Sequence, residues 1–314
     1  MTRAFLFPGQ GSQKIGMAKA LADAFASARE VFQEVDDALS QKLSKLMWEG
    51  PEDDLVLTEN AQPAIMTASI AAVRVLEKEM GLDVAKHAHL VAGHSLGEYS
   101  ALCAAGAFSL ADTARLLKAR GQAMQSAVPV GEGGMTALIG ADIQQAEEVA
   151  KEAAASGGVC VVANDNAPGQ VVISGTLDAL ARAGEIAKAK GIKRAMPLSV
   201  SAPFHCPLMQ PAADRMAEAL YGVTLRPLSV PVLANVTAKA ARDPDHVRQL
   251  LVEQVTGRVR WRETILALKG LAVETTVEFG GNKVLTGMVK RIDKDLANIT
   301  LDTPDDLEAF GKVI

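Results

Sequence analysis

Short apolar runs alternate with longer amphipathic stretches along most of the 314-residue chain. Four runs, Ala4–Phe7, His89–Ala92, Val230–Ala234 and Thr275–Glu278, have the length of buried strands. Between them the spacing predicts helices. One covers Ala61–Met80, with Pro63 in its first turn, where a missing N–H is harmless. Another follows the capping-box pattern Ser27-Ala28-Arg29-Glu30, which leads into Val31, Phe32 and Val35. A third runs from about Ser109 to Ala123, with Leu110, Ala114 and Leu117 on one side. Such alternation predicts an α/β protein with helices on the faces of a parallel sheet.

The middle of the chain has its own rhythm. From Gly133 onward the pattern reads strand (Met135–Ile139), helix (Ile143–Ala155) and strand (Val159–Ala163). A turn over Asn164-Asp165-Asn166-Ala167-Pro168-Gly169 follows, then strand Gln170–Ser174, helix Leu177–Lys190 and strand Lys193–Pro197. This β-α-β-β-α-β order is that of a ferredoxin-like unit. Pro129-Val130-Gly131-Glu132-Gly133 precedes it as a hinge. The expected organisation is a larger domain from residues 1–130 and 199–314, interrupted by a small domain over 131–198. The junction should form a cleft, a favoured place for a ligand.

Composition narrows the possible functions. Hydrophobic residues make up 49% of the chain and charged residues 22%, enough for a sizeable core. Aromatic content of 4% and a net charge of −5 argue against a nucleic-acid-binding surface. No apolar run reaches the roughly 20 residues of a membrane-spanning helix, and the N-terminus lacks the pattern of a secretory signal. Cys103, Cys160 and Cys206 are odd in number and read as free thiols in a reducing cytoplasm. The histidines are scattered, and no ligand spacing predicts a metal or cofactor.

Chemistry concentrates at Gly93-His94-Ser95-Leu96-Gly97, placed between a strand and the helix-forming Glu98–Ala105. Strand, sharp turn and helix are the setting of a G-x-S-x-G nucleophile elbow, which exposes a serine hydroxyl beside a helix N-terminus. A serine nucleophile needs a base. His87 and His89 lie in the polar lead into the strand, and His246 lies at a surface helix start. His94 is adjacent to Ser95, so the two side chains should diverge. His205 remains, in a loop stiffened by Pro203 and Pro207. Cys206 beside it reads as structural, since adjacent side chains rarely meet in a catalytic geometry. The chain offers no obvious acid to orient His205, and a backbone carbonyl would serve equally well.

Two further segments bear on the site. Phe7-Pro8-Gly9-Gln10-Gly11-Ser12-Gln13 is glycine-rich but lacks the Lys-Ser/Thr ending of a phosphate-binding loop. It better fits a tight loop bringing a backbone N–H near Ser95. Arg120 supports two readings on chemistry alone: a cation near a helix C-terminus, or a guanidinium fork for a substrate carboxylate.

These segments align in order with a known family. They are Phe7–Gln13, Gly93–Ser100, Arg120, Gly169–Gly175, Pro203–Cys206 and Val284-Leu285-Thr286-Gly287. Over nearly its whole length the chain resembles the malonyl-CoA:acyl carrier protein transacylases of bacterial fatty-acid synthesis. The resemblance implies an α/β-hydrolase-like large domain with an inserted ferredoxin-like small domain. It also implies ping-pong transfer of malonyl from malonyl-CoA, through a Ser95 ester, to the phosphopantetheine thiol of acyl carrier protein. By the same resemblance His205 is the base and acid, and the backbone N–H groups of Gln10 and Leu96 form the oxyanion hole. Arg120 pairs with the malonyl carboxylate, and the Gln254 carbonyl orients the histidine. Phe204 stands where many bacterial members carry serine, and its bulk should crowd an α-methyl branch. Gly280-Gly281-Asn282-Lys283 replaces the usual Gly-Pro-Gly-Lys.

A serine esterase or thioesterase would use the same Ser95 and His205 and differ in letting water attack the acyl-enzyme. Arg120 is the discriminating feature, since a buried cation suits a dicarboxylic half-thioester and penalises a plain fatty acyl chain. A mere carrier-docking module would need neither residue. An acidic carrier protein should meet a basic surface, for which Lys193, Arg194, Lys283, Lys290 and Arg291 are the candidates.

Overall fold

The computed structural model describes residues 2–200 and 202–314; Met1 and Ser201 lie outside the described residues. In chain order the strands are β1 (Arg3–Phe7), β2 (Leu90–Gly93), β3 (Gly133–Ile139), β4 (Cys160–Ala167) and β5 (Gln170–Thr176). They continue with β6 (Arg194–Pro197), β7 (Val232–Leu233), β8 (Ala240–Ala241), β9 (Thr275–Phe279) and β10 (Ala297–Leu301). The larger sheet has the order β10-β9-β1-β2-β7-β8 and is parallel except for the β7–β8 pair at its edge.

Alternation along β1 explains how that sheet is covered on both sides. Phe5 and Phe7 bury into a core shared with Ile65, Ala68, Ala72 and Leu76 of the helix Thr58–Glu79. Ala4 and Leu6 point the other way, into a core with Trp261, Ile265 and Leu268 of the helix Trp261–Gly270. A sheet buried on both faces reads as continuous apolar runs, as β1 and β2 do.

The second sheet is antiparallel, in the order β4-β5-β3-β6, with helices Ile143–Ala154 and Leu177–Ala189 packed on it. Counted within this unit the order is second, third, first, fourth strand, which is the ferredoxin-like arrangement. The protein is thus an α/β-hydrolase-like large domain carrying a ferredoxin-like insertion. Among the described residues no helix is long and apolar enough to cross a membrane.

Several local expectations are corrected. Asn164–Ala167 is not a turn: β4 runs through Ala167, with register shifts at Val162/Asn164 and Asp165/Ala167. Partners in the large domain draw these polar residues into the strand. Asp165 N–H donates to the Val259 carbonyl at 3.0 Å, and the Arg262 guanidinium grips the Asp165 carboxylate at 2.8 and 3.0 Å. The helix expected from Ala61 begins at Thr58, which moves Pro63 beyond the first turn. Lys118 holds the added turn through Glu59 at 2.8 Å and the Asn60 side chain at 3.0 Å. Ser27 caps nothing: its helix begins at Ala26, and its hydroxyl donates to Glu79 at 2.8 Å. The run Val230–Ala234 yields only the two residues of β7, and β10 has no counterpart among the expected strands.

Candidate active site

The carboxyl ends of the parallel strands bring the site together, as is usual for ligand sites in such sheets. Phe7 of β1 lies level with Gly93 of β2, so the loops after both strands start side by side. Ser95 follows β2 with φ of 52°, a left-handed conformation that costs a non-glycine residue energy. The strain therefore sits on the serine, and the flanking glycines act through proximity. A Cβ on Gly93 would come within 1.9 Å of the Gly97 carbonyl, and one on Gly97 within 2.2 Å of the Phe7 carbonyl oxygen. Asn235, just beyond β7, holds the turn from below. Its Oδ1 accepts from the Ser95 N–H at 2.7 Å, and its Nδ2 donates to the Gly93 carbonyl at 2.7 Å.

His205 arrives on a loop from the other side of the insertion, itself with φ of 58°. Its Nε2 lies 2.8 Å from Ser95 Oγ, and its Nδ1 lies 2.9 Å from the backbone oxygen of Gln254. A carbonyl can only accept, so Nδ1 carries the hydrogen and Nε2 of the neutral ring is left to accept from Ser95. Gln254 lies in the last turn of the helix Pro244–Thr256, where a carbonyl lacks a partner within the helix. Burial, followed by the positive charge of Arg120, pushes the His205 imidazole down to about 3. The resting ring is therefore neutral and can accept the Ser95 proton.

Arg120 does not terminate its helix, which runs on from Leu110 to Ser126. It is 1% exposed, so the reading as a cation near a helix C-terminus falls away. Nη1 donates to Gln62 Oε1 at 2.8 Å, while Nη2 donates to Gln254 Oε1 at 2.8 Å and to Ser95 Oγ at 3.1 Å. All three acceptors are neutral. A buried guanidinium with neutral acceptors beside a serine hydroxyl can receive an anionic group.

A cavity of about 490 Å³ opens above these groups. Gln10 of the first loop, Ser95, Arg120, Phe204 and His205 all line it. Leu96 lies beneath, at the start of the helix Gly97–Ala104. The small sheet supplies Met135, Asn164, Asn166 and Val172 to the wall, so the cavity lies at the junction of the two domains. His94 does diverge from Ser95. Its Nε2 lies 2.7 Å from Asn166 Oδ1 and its ring packs edge-on against Trp261, which ties the elbow to the small domain. Cys206 donates its thiol to the Pro203 carbonyl at 3.0 Å, and burial pushes its pKa up, in keeping with a structural part. Lys193, Arg194, Lys283, Lys290 and Arg291 are all exposed.

Sequence reasoning missed Asn235, Gln62 and Glu98 as members of the site. Glu98 alone carried a signal, as an acid directly after the elbow; the others act across 140 and 58 residues of chain.

The chain matches the acyl transferase domain family over residues 4–300. It is 44% identical over 305 residues to the malonyl CoA-acyl carrier protein transacylase of Bacillus subtilis (strain 168), covering 97% of this chain and 95% of that protein. The crystal structure of acyl-carrier-protein-S-malonyltransferase from Bartonella henselae superposes with a TM-score of 0.97 at 56% identity, covering 100% of this chain and 99% of that one. A type II PKS acyl-carrier protein in complex with its malonyl-transacylase gives a TM-score of 0.95 at 40% identity, with 100% of both chains covered.

Proposed function

The chain belongs to the malonyl-CoA:acyl carrier protein transacylases of the acyl transferase family, and from that premise we propose how its residues carry the reaction. The enzyme moves malonyl from malonyl-CoA to acyl carrier protein for fatty-acid synthesis. Ser95 attacks the thioester carbonyl while its proton passes to His205 Nε2. The tetrahedral oxyanion is received by the backbone N–H groups of Gln10 and Leu96. As the carbonyl re-forms, the carbon–sulfur bond breaks and His205 returns the proton to the departing CoA sulfur. The phosphopantetheine thiol of the carrier then gives its proton to His205 and attacks the Ser95 ester. The serine oxygen leaves and takes that proton back. The Gln254 carbonyl, at the negative end of its helix, steadies the imidazolium formed in each half-reaction.

The observation that carries this reading is the buried Arg120 fork beside Ser95 Oγ. It offers a malonyl carboxylate a paired, dry site, whereas a plain acyl chain would leave the cation without an anion. Phe204 on the cavity wall limits substitution at the α-carbon. We assign the catalytic domain to residues 1–130 and 199–314 and the insertion to 131–198. The free thiols of Cys103, Cys160 and Cys206 support a cytoplasmic location.

Incubation with radiolabelled malonyl-CoA tests the reading. Label should stay on the protein, be absent in Ser95→Ala, and leave faster with holo-carrier protein than with water. Rapid loss to water would mean a hydrolase, and no label would mean a docking module.

A further inference from the structure

Beneath the elbow, one buried carboxylate joins two residues that shape the site. Glu98 is 1% exposed and is not among the cavity-lining residues. Its Oε2 accepts from Gln254 Nε2 at 2.8 Å and from the Asn235 backbone N–H at 3.1 Å. Each donor is itself tied to the reacting groups. Gln254 turns Oε1 to Arg120 and its backbone oxygen to His205, while Nε2 also donates to the Ser95 carbonyl at 2.9 Å. Asn235 braces the strained Ser95 through both ends of its amide.

A primary amide has nearly the same shape either way round, so its neighbours decide which end is oxygen. Here an acceptor on one side and a guanidinium on the other leave one orientation. We propose that Glu98 is a positioning residue of malonyl transfer, holding the Gln254 amide with its oxygen toward Arg120 and Asn235 beneath the Ser95 elbow. This rests on the malonyl-transfer reading above. The role needs an acceptor at Oε2 and not a full negative charge. Burial raises the Glu98 carboxyl to about 7, and a proton on the other oxygen leaves both contacts intact.

The role predicts a particular order among variants. Glu98→Gln supplies a carbonyl oxygen in the same place and should keep kcat/KM for malonyl-CoA within about threefold of wild type. Glu98→Ala strands two buried N–H groups and leaves the Gln254 amide held only by Arg120 and the Ser95 carbonyl, and should lose about a hundredfold. Because one of the two amide anchors of Arg120 is loosened while Gln62 stays in place, KM for malonyl-CoA should rise as kcat falls, and the malonyl-over-acetyl preference should drop about tenfold. All rates are taken per site that labels at Ser95, which removes any misfolded fraction. If Glu98→Ala yields no folded protein, Glu98→Asp, which withdraws the acceptor by one methylene, should show the same loss of preference in milder form.

Equal losses with malonyl and acetyl would overturn the proposal, as would a Gln variant as impaired as Ala or an Ala variant as active as wild type. Failure of wild-type protein to label at Ser95 would instead remove the malonyl-transfer reading itself, so the two failures are distinguishable.

Discussion

Arg120 Nη2 lies 3.1 Å from Ser95 Oγ, so the proposed receiver of the substrate's free carboxylate touches the oxygen that attacks its thioester. In a malonyl group a single methylene separates the carboxylate from the reacting carbonyl. The cation and the nucleophile must therefore be neighbours if one is to bind while the other reacts. A buried site can recognise charge strongly because an unmatched ion there is costly.

Arg120→Ala should lower kcat/KM for malonyl-CoA by about a hundredfold or more, in line with loss of a charged bidentate pair. Acetyl-CoA should be affected much less, so the preference between the two acyl groups narrows. Arg120→Lys should recover only part of the loss, because an ammonium lacks the fork that meets both carboxylate oxygens. Parallel steady-state measurements with both thioesters check this, and an unchanged ratio would sink the assignment.

The acid side of the pH profile should report His205. The base is active when neutral, and burial with the Arg120 charge holds its pKa far below the ordinary value of about 6.5. kcat/KM should therefore show no loss around pH 6.5 and fall only toward the region near 3, or where the fold gives way first. Removing a neighbouring cation raises the pKa of an imidazole, so Arg120→Ala should move that limb to higher pH. The same shift has a sign for stability. The unfolded chain binds a proton at His205 below about 6.5 that the folded chain refuses, so this contribution is lost as pH falls from there toward 3. A wild-type limb centred near 6.5 would contradict the buried, neutral base.

The elbow around Ser95 is legible in the sequence because its determinants are local: an apolar run, two glycines at close-approach positions and a helix former. The order of elements in the insertion is legible for the same reason. What stayed hidden depends on partners remote in the chain. Asn235 reaches Ser95 across 140 residues, and nothing about Asn235 in its own segment distinguishes it from a loop asparagine. Asn164, Asp165 and Asn166 look like turn residues because polar side chains usually belong in turns. They lie in a strand because Val259, Arg262 and His94 satisfy them from the other domain. Arg120 is ambiguous in sequence because what decides it is burial: its helix continues to Ser126 and packs the side chain away from solvent.

The clamp between the domains makes a stability prediction. Asp165 is 1% exposed and its carboxylate is held on both oxygens by Arg262. Arg262→Ala leaves a buried charge without its partner, and should destabilise by about 3 kcal/mol, the low end for such a break because Arg262 is partly exposed. Adding Asp165→Asn removes the stranded charge and should recover part of that loss. Urea denaturation of the two variants checks this. A double variant no more stable than Arg262→Ala would show that the ion pair is not what joins the sheets.

Glycine positions give the sharpest contrast between packing and backbone freedom. At Gly97 a methyl group would meet the Phe7 carbonyl oxygen at 2.2 Å and that of Pro8 at 2.7 Å, both backbone atoms that cannot swing aside. Gly97→Ala must therefore push the loop carrying Gln10 away from Ser95. It should cost about 1–3 kcal/mol of stability from overpacking, and most of kcat as well. Gly184 lies within the helix Leu177–Ala189, and a methyl group there meets nothing within 4 Å. Gly184→Ala should raise stability by about 0.5–1 kcal/mol through its helix preference and leave malonyl transfer unchanged. Thermal denaturation and the transfer assay on the two variants read both effects. If Gly97→Ala lost stability but kept full kcat, the close approach at the elbow would serve the fold alone, and the first loop would have no part in catalysis.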